Sequence, residues 1–281
     1  MSGTLFVVGT PIGNLGDLSD RARETLRSVG VVAAEDTRRT GRLLQGFGAS
    51  ARLVSYFEGN EAERLGGLVR LLEGGQDVAL VTDAGMPGVS DPGYRLVAAC
   101  IGAGIAVDVI PGPSAVLTAL VISGLPTDRF VFEGFLPRSG RARSTRLAEM
   151  AVEPRTVVLF ESPKRVAATV EQLRAACGDD RRAVVARELT KLHQEVLRGT
   201  LAELAGALRH RELKGEVVLV LEGAPERATG TLEEATAVAR AAVAAGVRKR
   251  DAAKQAAAAT GVAAGRIYAA LVGEAGSAKG S

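Results

Sequence analysis

The sequence predicts an α/β protein of two α/β domains, a parallel sheet then a mixed sheet, followed by a small helical module. Three observations predict it. Short β-branched runs alternate with helix-like runs over residues 1–123. Strand-like runs joined by shorter links fill 124–225. Residues 226–281 are Ala-rich and read as helices throughout. At 281 residues, 47% hydrophobic and 24% charged, the chain is long enough for two domains of ordinary size.

In order, Thr4–Val8 reads as a strand and Asp20–Val29 as a helix capped by Ser19. Val31–Ala34, Arg52–Tyr56, Val78–Thr82 and Ala106–Ile110 read as further strands. Thr37–Gln45, Glu61–Glu73, Tyr94–Ala103 and Ser114–Val121 are the helices between and after them. Five strands separated by helices make a parallel sheet covered on both faces. Gly124–Asp128 turns the chain into a second unit, with strands over Phe130–Glu133, Thr156–Glu161, Ala183–Glu188, Glu195–Gly199 and Glu216–Glu222. The short link Leu189–Gln194 makes this sheet mixed. Gly223–Gly230 reads as a linker, and Leu232–Ala245, Lys249–Thr260 and Ala264–Val272 as helices forming a helix-turn-helix-like unit.

No apolar run reaches the roughly 18 residues of a membrane span, and no signal-peptide pattern is present. Cys100 and Cys177 lie in apolar helical patterns without CxxC or Cys/His spacing, which predicts buried thiols in a cytoplasmic protein and no metal. The net charge is only +3, and residues Glu226 to Ser281 carry a net +3 by themselves, with the basic excess clustered at Arg248, Lys249 and Arg250. These three are candidate nucleic-acid contacts, the alternative being a solvated appendage or a dimer contact.

Chemistry is expected at the strand ends, since ligands in open α/β sheets bind beyond the strands' carboxyl ends. Val81–Gly93 runs from a strand into a loop holding Gly85, Gly88, Gly93, Pro87, Pro92, Asp83 and Asp91. Asp91-Pro92 reads as the cap and first residue of the next helix. Gly9–Asp17 and Pro111–Ala115 are two more Gly- and Pro-rich loops after strands. The first carries neither a Walker A nor a GxGxxG pattern, so a phosphate cradle is not expected there. Singly, each loop is compatible with a tight turn; together they predict a small-molecule cleft. In the second unit, Phe160–Arg165 opens a helix after a strand, and Arg187–Glu195 crowds five ionisable side chains into one link. Glu35, Asp36, Glu161, Glu188, Lys191 and His193 are candidate proton acceptors, and spacing assigns the role to none of them. Pro137–Arg146 holds four arginines (Arg138, Arg141, Arg143 and Arg146) and no acid, and reads as a flexible loop that can bind nucleic-acid phosphates or simply be solvated.

Gly9–Leu15, Ala34–Arg38, Thr82–Pro87, Pro111–Ala115, Phe160–Arg165, Glu188–His193 and Lys214–Val218, in this order, resemble the ribosomal RNA small-subunit methyltransferase I family of the tetrapyrrole methylase superfamily. The resemblance spans residues 4–222. It implies S-adenosylmethionine held in a cleft between two α/β domains of the tetrapyrrole methylase type, without metal, and a homodimer. It also implies methylation of a cytidine ribose 2′-oxygen in the decoding region of small-subunit rRNA. By motif, Pro11, Asp83, Met86, Ser114, Ala115, Phe160 and Glu216 would contact the cofactor. Two other readings stay open: a methylase of tetrapyrroles or other small molecules, and a ligand-sensing nucleic-acid-binding regulator.

Overall fold

The computed structural model describes residues 2–225 and 230–277, the last four of these by backbone only. Thus 226–229 of the expected linker lie outside the described residues. The chain divides into two compact units, Met1–Ala224 and Pro225–Ser281.

The first unit contains two five-stranded sheets. In the first sheet the strands are β1 (Thr4–Val8), β2 (Val31–Ala34), β3 (Arg52–Ser55), β4 (Val78–Val81) and β5 (Ala106–Ile110), in the order β3-β2-β4-β1-β5. All of their pairings are parallel. β2 and β4 are buried at every residue, as Val/Ala/Leu runs covered on both faces must be. Helices α1 (Asp20–Ser28), α2 (Thr37–Gly46), α3 (Glu61–Glu73), α4 (Tyr94–Gly102) and α5 (Ala115–Ser123) follow the five strands in turn. Because β4, β1 and β5 are parallel neighbours, the loops after them emerge side by side.

The second sheet holds β6 (Phe130–Phe135), β7 (Thr156–Glu161), β8 (Arg182–Arg187), β9 (Glu195–Thr200) and β10 (Val217–Leu221), in the order β6-β7-β10-β8-β9. Only β6 and β7 pair in parallel, so the sheet is mixed as expected. Helices α6 (Gly140–Val152), α7 (Val166–Cys177) and α8 (Leu201–Leu208) connect its strands. Val217 of β10 sits opposite both Glu161 of β7 and Arg187 of β8. This register gathers Phe160–Pro163, Gly215–Val218 and Glu188–Lys191 at one end of the sheet. The two sheets are joined through α5, whose Val116, Ala119 and Leu120 share a buried cluster with Val158, Val184, Ala186, Val218 and Val220.

Two expectations are corrected. Asp91 does not cap α4: Gly93 does, at φ 140°, and the helix begins at Tyr94. Gly93 N–H donates to the Glu61 carboxylate at 2.9 Å, and a Cβ there would stand 2.8 Å from the Leu80 side chain. A residue able to take that backbone shape draws the chain inward, which frees the Asp91 carboxyl to face a cavity. The arginine-rich stretch 137–146 is not a flexible loop either, since α6 begins at Gly140.

In the second unit, α9 (Leu232–Ala244), α10 (Lys249–Thr260) and α11 (Ala264–Ser277) bury Ala235, Ala239, Ala252, Ala253, Ala256, Val262, Ile267 and Leu271 against one another. Thr231 and Glu234 form a capping box at the start of α9, and Gly261 ends α10 in the left-handed region. Arg248, Lys249 and Arg250 are exposed at the start of α10. Among the described residues, no helix is long and apolar enough to cross a membrane.

Candidate active site

Three strand-end loops are locked together before any ligand is considered. Thr10 and Gly85 exchange backbone hydrogen bonds at 2.9 and 3.1 Å, tying the loop after β1 to the loop after β4. The Thr10 hydroxyl adds a bond of 3.0 Å to the Thr82 carbonyl. Gly9 N–H donates to the Ile110 carbonyl at 2.9 Å. A Cβ on Gly9 would lie 2.7 Å from the Gly112 backbone, so the loops after β1 and β5 pass at a distance only glycine allows.

Against these loops the end of the second sheet closes a cavity of ≈ 360 Å³, within the range of small-ligand sites. Ile12, Gly85, Met86, Ser114 and Ala115 form one side, and Phe135, Phe160, Gly215 and Val217 the other. Phe160 is held edge-on by Phe132 at 5.0 Å and packs on Phe135 at 5.5 Å. The walls are mainly apolar, with the acidic residues Asp91 and Glu216 among them. Burial lifts the Asp91 carboxyl to about 7; the charges of Glu35, Asp83 and Glu216 push the same way, and the Thr82 hydroxyl opposes them.

A second cavity of ≈ 380 Å³ shares Ile12, Ala84 and Glu216 with the first. Pro11, Gly13, Leu15, Arg39, Arg42, Leu43, Asp83 and Lys191 also line it. Lys191 is presented by a turn in which Glu188 (φ 52°) and Thr190 (φ 65°) both adopt left-handed backbone, a costly shape for such residues. Glu188 anchors the turn: its carboxylate accepts from Lys191 Nζ at 2.8 Å and from Glu216 N–H at 2.9 Å. Lys191 Nζ also reaches Glu216 at 3.0 Å. Burial works against the Lys191 charge, but the bonds to Glu188 and Glu216 outweigh it and hold the ammonium above the usual lysine range.

Of the expected cofactor contacts, Met86, Ser114, Ala115, Phe160 and Glu216 line the first cavity. Pro11 and Asp83 line the second instead. Asp83 is occupied by Arg39 at 3.0 Å and by Asp36 N–H at 3.2 Å. Among the candidate proton acceptors, Glu161 is clamped by Arg165, Thr169 and Ser162 N–H and is 2% exposed. Asp36 is held well below the carboxylate range by its hydrogen bonds with Arg38. Glu35 accepts from Asp83 N–H, and the protonated Lys191 has no lone pair to offer. His193 lines neither cavity. Asp91 is the group the sequence hid, because Asp-Pro ahead of a helical pattern reads as a cap.

Among the expected RNA contacts, Arg143 points inward. It donates to Gln172, the Pro137 carbonyl and Thr169 at 2.8, 2.9 and 2.7 Å, and it is 7% exposed. Arg146 pairs with Glu133 and Glu149. Arg138 and Arg141 remain exposed.

Residues 4–205 match the tetrapyrrole (corrin/porphyrin) methylases. A ribosomal RNA small subunit methyltransferase I from Mycobacterium tuberculosis is 47% identical over 274 residues, 96% of this chain and 95% of that one. One of the same name from Thermotoga maritima is 47% identical over 79% of this chain and 99% of its own length. Among solved structures, a uroporphyrin-III-C-methyltransferase from Thermus thermophilus superposes with a TM-score of 0.55 at 23% identity, covering 78% of this chain and 94% of that one, which shows the shared fold. The chain therefore belongs to the ribosomal RNA small subunit methyltransferase I family of the tetrapyrrole methylases.

Proposed function

We propose that this chain transfers a methyl group from S-adenosylmethionine to the ribose 2′-oxygen of a cytidine in the decoding region of small-subunit ribosomal RNA. The observation that carries the reading is the 47% identity to a relative of that name over 96% of this chain. The first cavity fits the cofactor's chemistry. An apolar box with acidic groups suits a nucleoside bearing a sulfonium and an ammonium, and Asp91 and Glu216 are the carboxyls that would face positive charge. When bound, S-adenosylmethionine supplies an electrophilic methyl group.

The protein's own share is alignment and exclusion of water. The locked glycine loops and the Phe132–Phe160–Phe135 stack make one rigid wall each. Glu216, which lines both cavities, is the carboxylate placed to receive the hydroxyl proton, with Lys191 steadying it. A second copy of the chain and a cytoplasmic setting belong to the same reading. Val109 of the edge strand β5 and Leu117 and Val121 of α5 are exposed apolar groups that a second copy would cover.

The test is transfer of labelled methyl to purified small ribosomal subunits, followed by alkaline hydrolysis. A ribose 2′-O-methyl group removes the nucleophile that cleaves RNA, so one alkali-resistant cytidine linkage is expected. Label on a base, or on a tetrapyrrole offered in competition, overturns the proposal.

A further inference from the structure

We propose that the second cavity is the acceptor subsite, taking a single unstacked nucleotide whose phosphate is held by Arg39 and Arg42. The inference rests on the ribosomal RNA reading above and deepens it. Three observations carry it. The cavity meets the cofactor cavity at Ile12, Ala84 and Glu216, so a group seated in one lies against the contents of the other. Its size, ≈ 380 Å³, suits one nucleotide and not a duplex, so the target must leave its stack to enter. Its lining then divides by chemistry. Leu15, which is 68% exposed, Pro11, Ile12 and Leu43 offer apolar surface to a base. Arg39 and Arg42 are three positions apart on α2 and so share a face at the rim.

Arg39 is steadied by Asp83 at 3.0 Å while its side chain stays 63% exposed, which leaves guanidinium donors for a phosphate. On the far wall, Lys191 and Glu216 stand at the junction with the cofactor cavity. A phosphate at the arginine rim and a ribose at that junction orient the nucleotide with its 2′-hydroxyl toward the donor. Gly13 is part of the design, because a Cβ there would collide with the Lys191 stem and push the ammonium off this wall.

Two full-length variants test this, each on an exposed side chain. Arg42→Gln removes a rim charge; Leu15→Trp narrows the mouth and keeps every charge. Affinity for a single-stranded RNA fragment of the decoding region, KM and kcat on small subunits, cofactor affinity and melting temperature are measured for each. Both variants are expected to weaken RNA binding and raise KM by roughly five- to tenfold, with cofactor affinity within about twofold of the parent. Arg42→Lys should recover part of the loss. RNA affinity and KM within about twofold of the parent for both variants overturn the subsite. So does a loss of cofactor affinity or melting temperature that accounts for the effect. If the parent binds the fragment but transfers no methyl, the reaction assigned above fails, and RNA affinity alone decides the subsite. If the parent binds no RNA, both fall.

Discussion

Two groups of arginines in this chain have opposite fates. The four between Arg138 and Arg146 look like an RNA-binding segment because no acid interrupts them. Folded, the two at the C-terminal side of that run are consumed: Arg143 among Gln172, Thr169 and the Pro137 carbonyl, Arg146 by Glu133 and Glu149. The arginines of α2 follow Glu35 and Asp36 closely in sequence. Arg38 pairs with Asp36 and Arg39 with Asp83, yet Arg39 stays 63% exposed and lines a cavity together with Arg42. The charge available to a ligand is set by partners brought in from other elements, and run length does not report it.

The sharpest way to break that comparison is Arg143→Ala. If Arg143 is structural, its loss leaves the buried Glu161 with one arginine fewer and opens a hole under α6. Removing one partner of a buried ionic cluster costs about 3–5 kcal/mol. The effect should sit at the lower end, about 3 kcal/mol, because Arg165 still pairs with Glu161. Melting should fall by roughly 6–12 °C. Unchanged melting with weakened RNA affinity would restore Arg143 to the RNA-binding set.

The same contrast holds for carboxyls. Glu161 is clamped by Arg165, Thr169 and Ser162 N–H, whereas Asp91 lines the first cavity, where burial lifts its carboxyl to about 7. An ordinary aspartate value is 3.8, so between about pH 4 and 7 the folded chain holds a proton the unfolded chain has lost. Stability therefore falls as pH rises through that window, and Asp91→Asn should remove this part of the fall. A cationic cofactor prefers the ionised carboxyl, so its affinity should climb through pH 7. At pH 8, Asp91→Asn should weaken it roughly ten- to a hundredfold. Calorimetry showing the parent's pH profile in the variant would place Asp91 outside the site.

Much of this was legible in the sequence, for a physical reason. A parallel sheet needs buried β-branched runs and crossover helices, both of which are local patterns, and glycine loops report close backbone approach. Hence Val31–Ala34 and Val78–Val81 read as strands, and the strand-end loops that carry Met86, Ser114 and Ala115 line the first cavity. What escaped depends on long-range register. Lys191 meets Glu216 only because β8 and β10 are antiparallel neighbours. Asp91 reads as a cap in the sequence because nothing in an Asp-Pro pair signals that Gly93, at φ 140°, takes that place. The second cavity mixes residues from α2 and four loops, a set that no motif unites.

A milder effect is expected from ending the chain after Gly223. The relative from Thermotoga maritima is matched over 99% of its length by 79% of this chain, so the remaining fifth, about the size of unit Pro225–Ser281, has no counterpart there. The shortened chain should fold, bind the cofactor normally and still methylate, with a KM for small subunits raised severalfold by loss of Arg248, Lys249 and Arg250. Loss of all transfer, or conversion of a dimer to a monomer in sedimentation, would give the helices a different task.

The smallest effect belongs to Arg138 and Arg141, the exposed remainder of the segment that looked most basic. Replacing both with Ala removes two solvent-facing charges and no internal hydrogen bond shown by the fold. If both meet phosphates, the slope of log affinity against log salt should become shallower by somewhat under one unit per residue, with affinity at moderate salt falling only a fewfold. Melting and cofactor affinity should match the parent. Running this pair beside Arg39→Gln/Arg42→Gln at several salt concentrations separates general attraction from a shaped site. A long-range contribution fades at high salt, whereas the α2 pair should retain a defect there because its cavity also orients the nucleotide. Equal defects that vanish together at high salt would mean that both groups act only as positive surface.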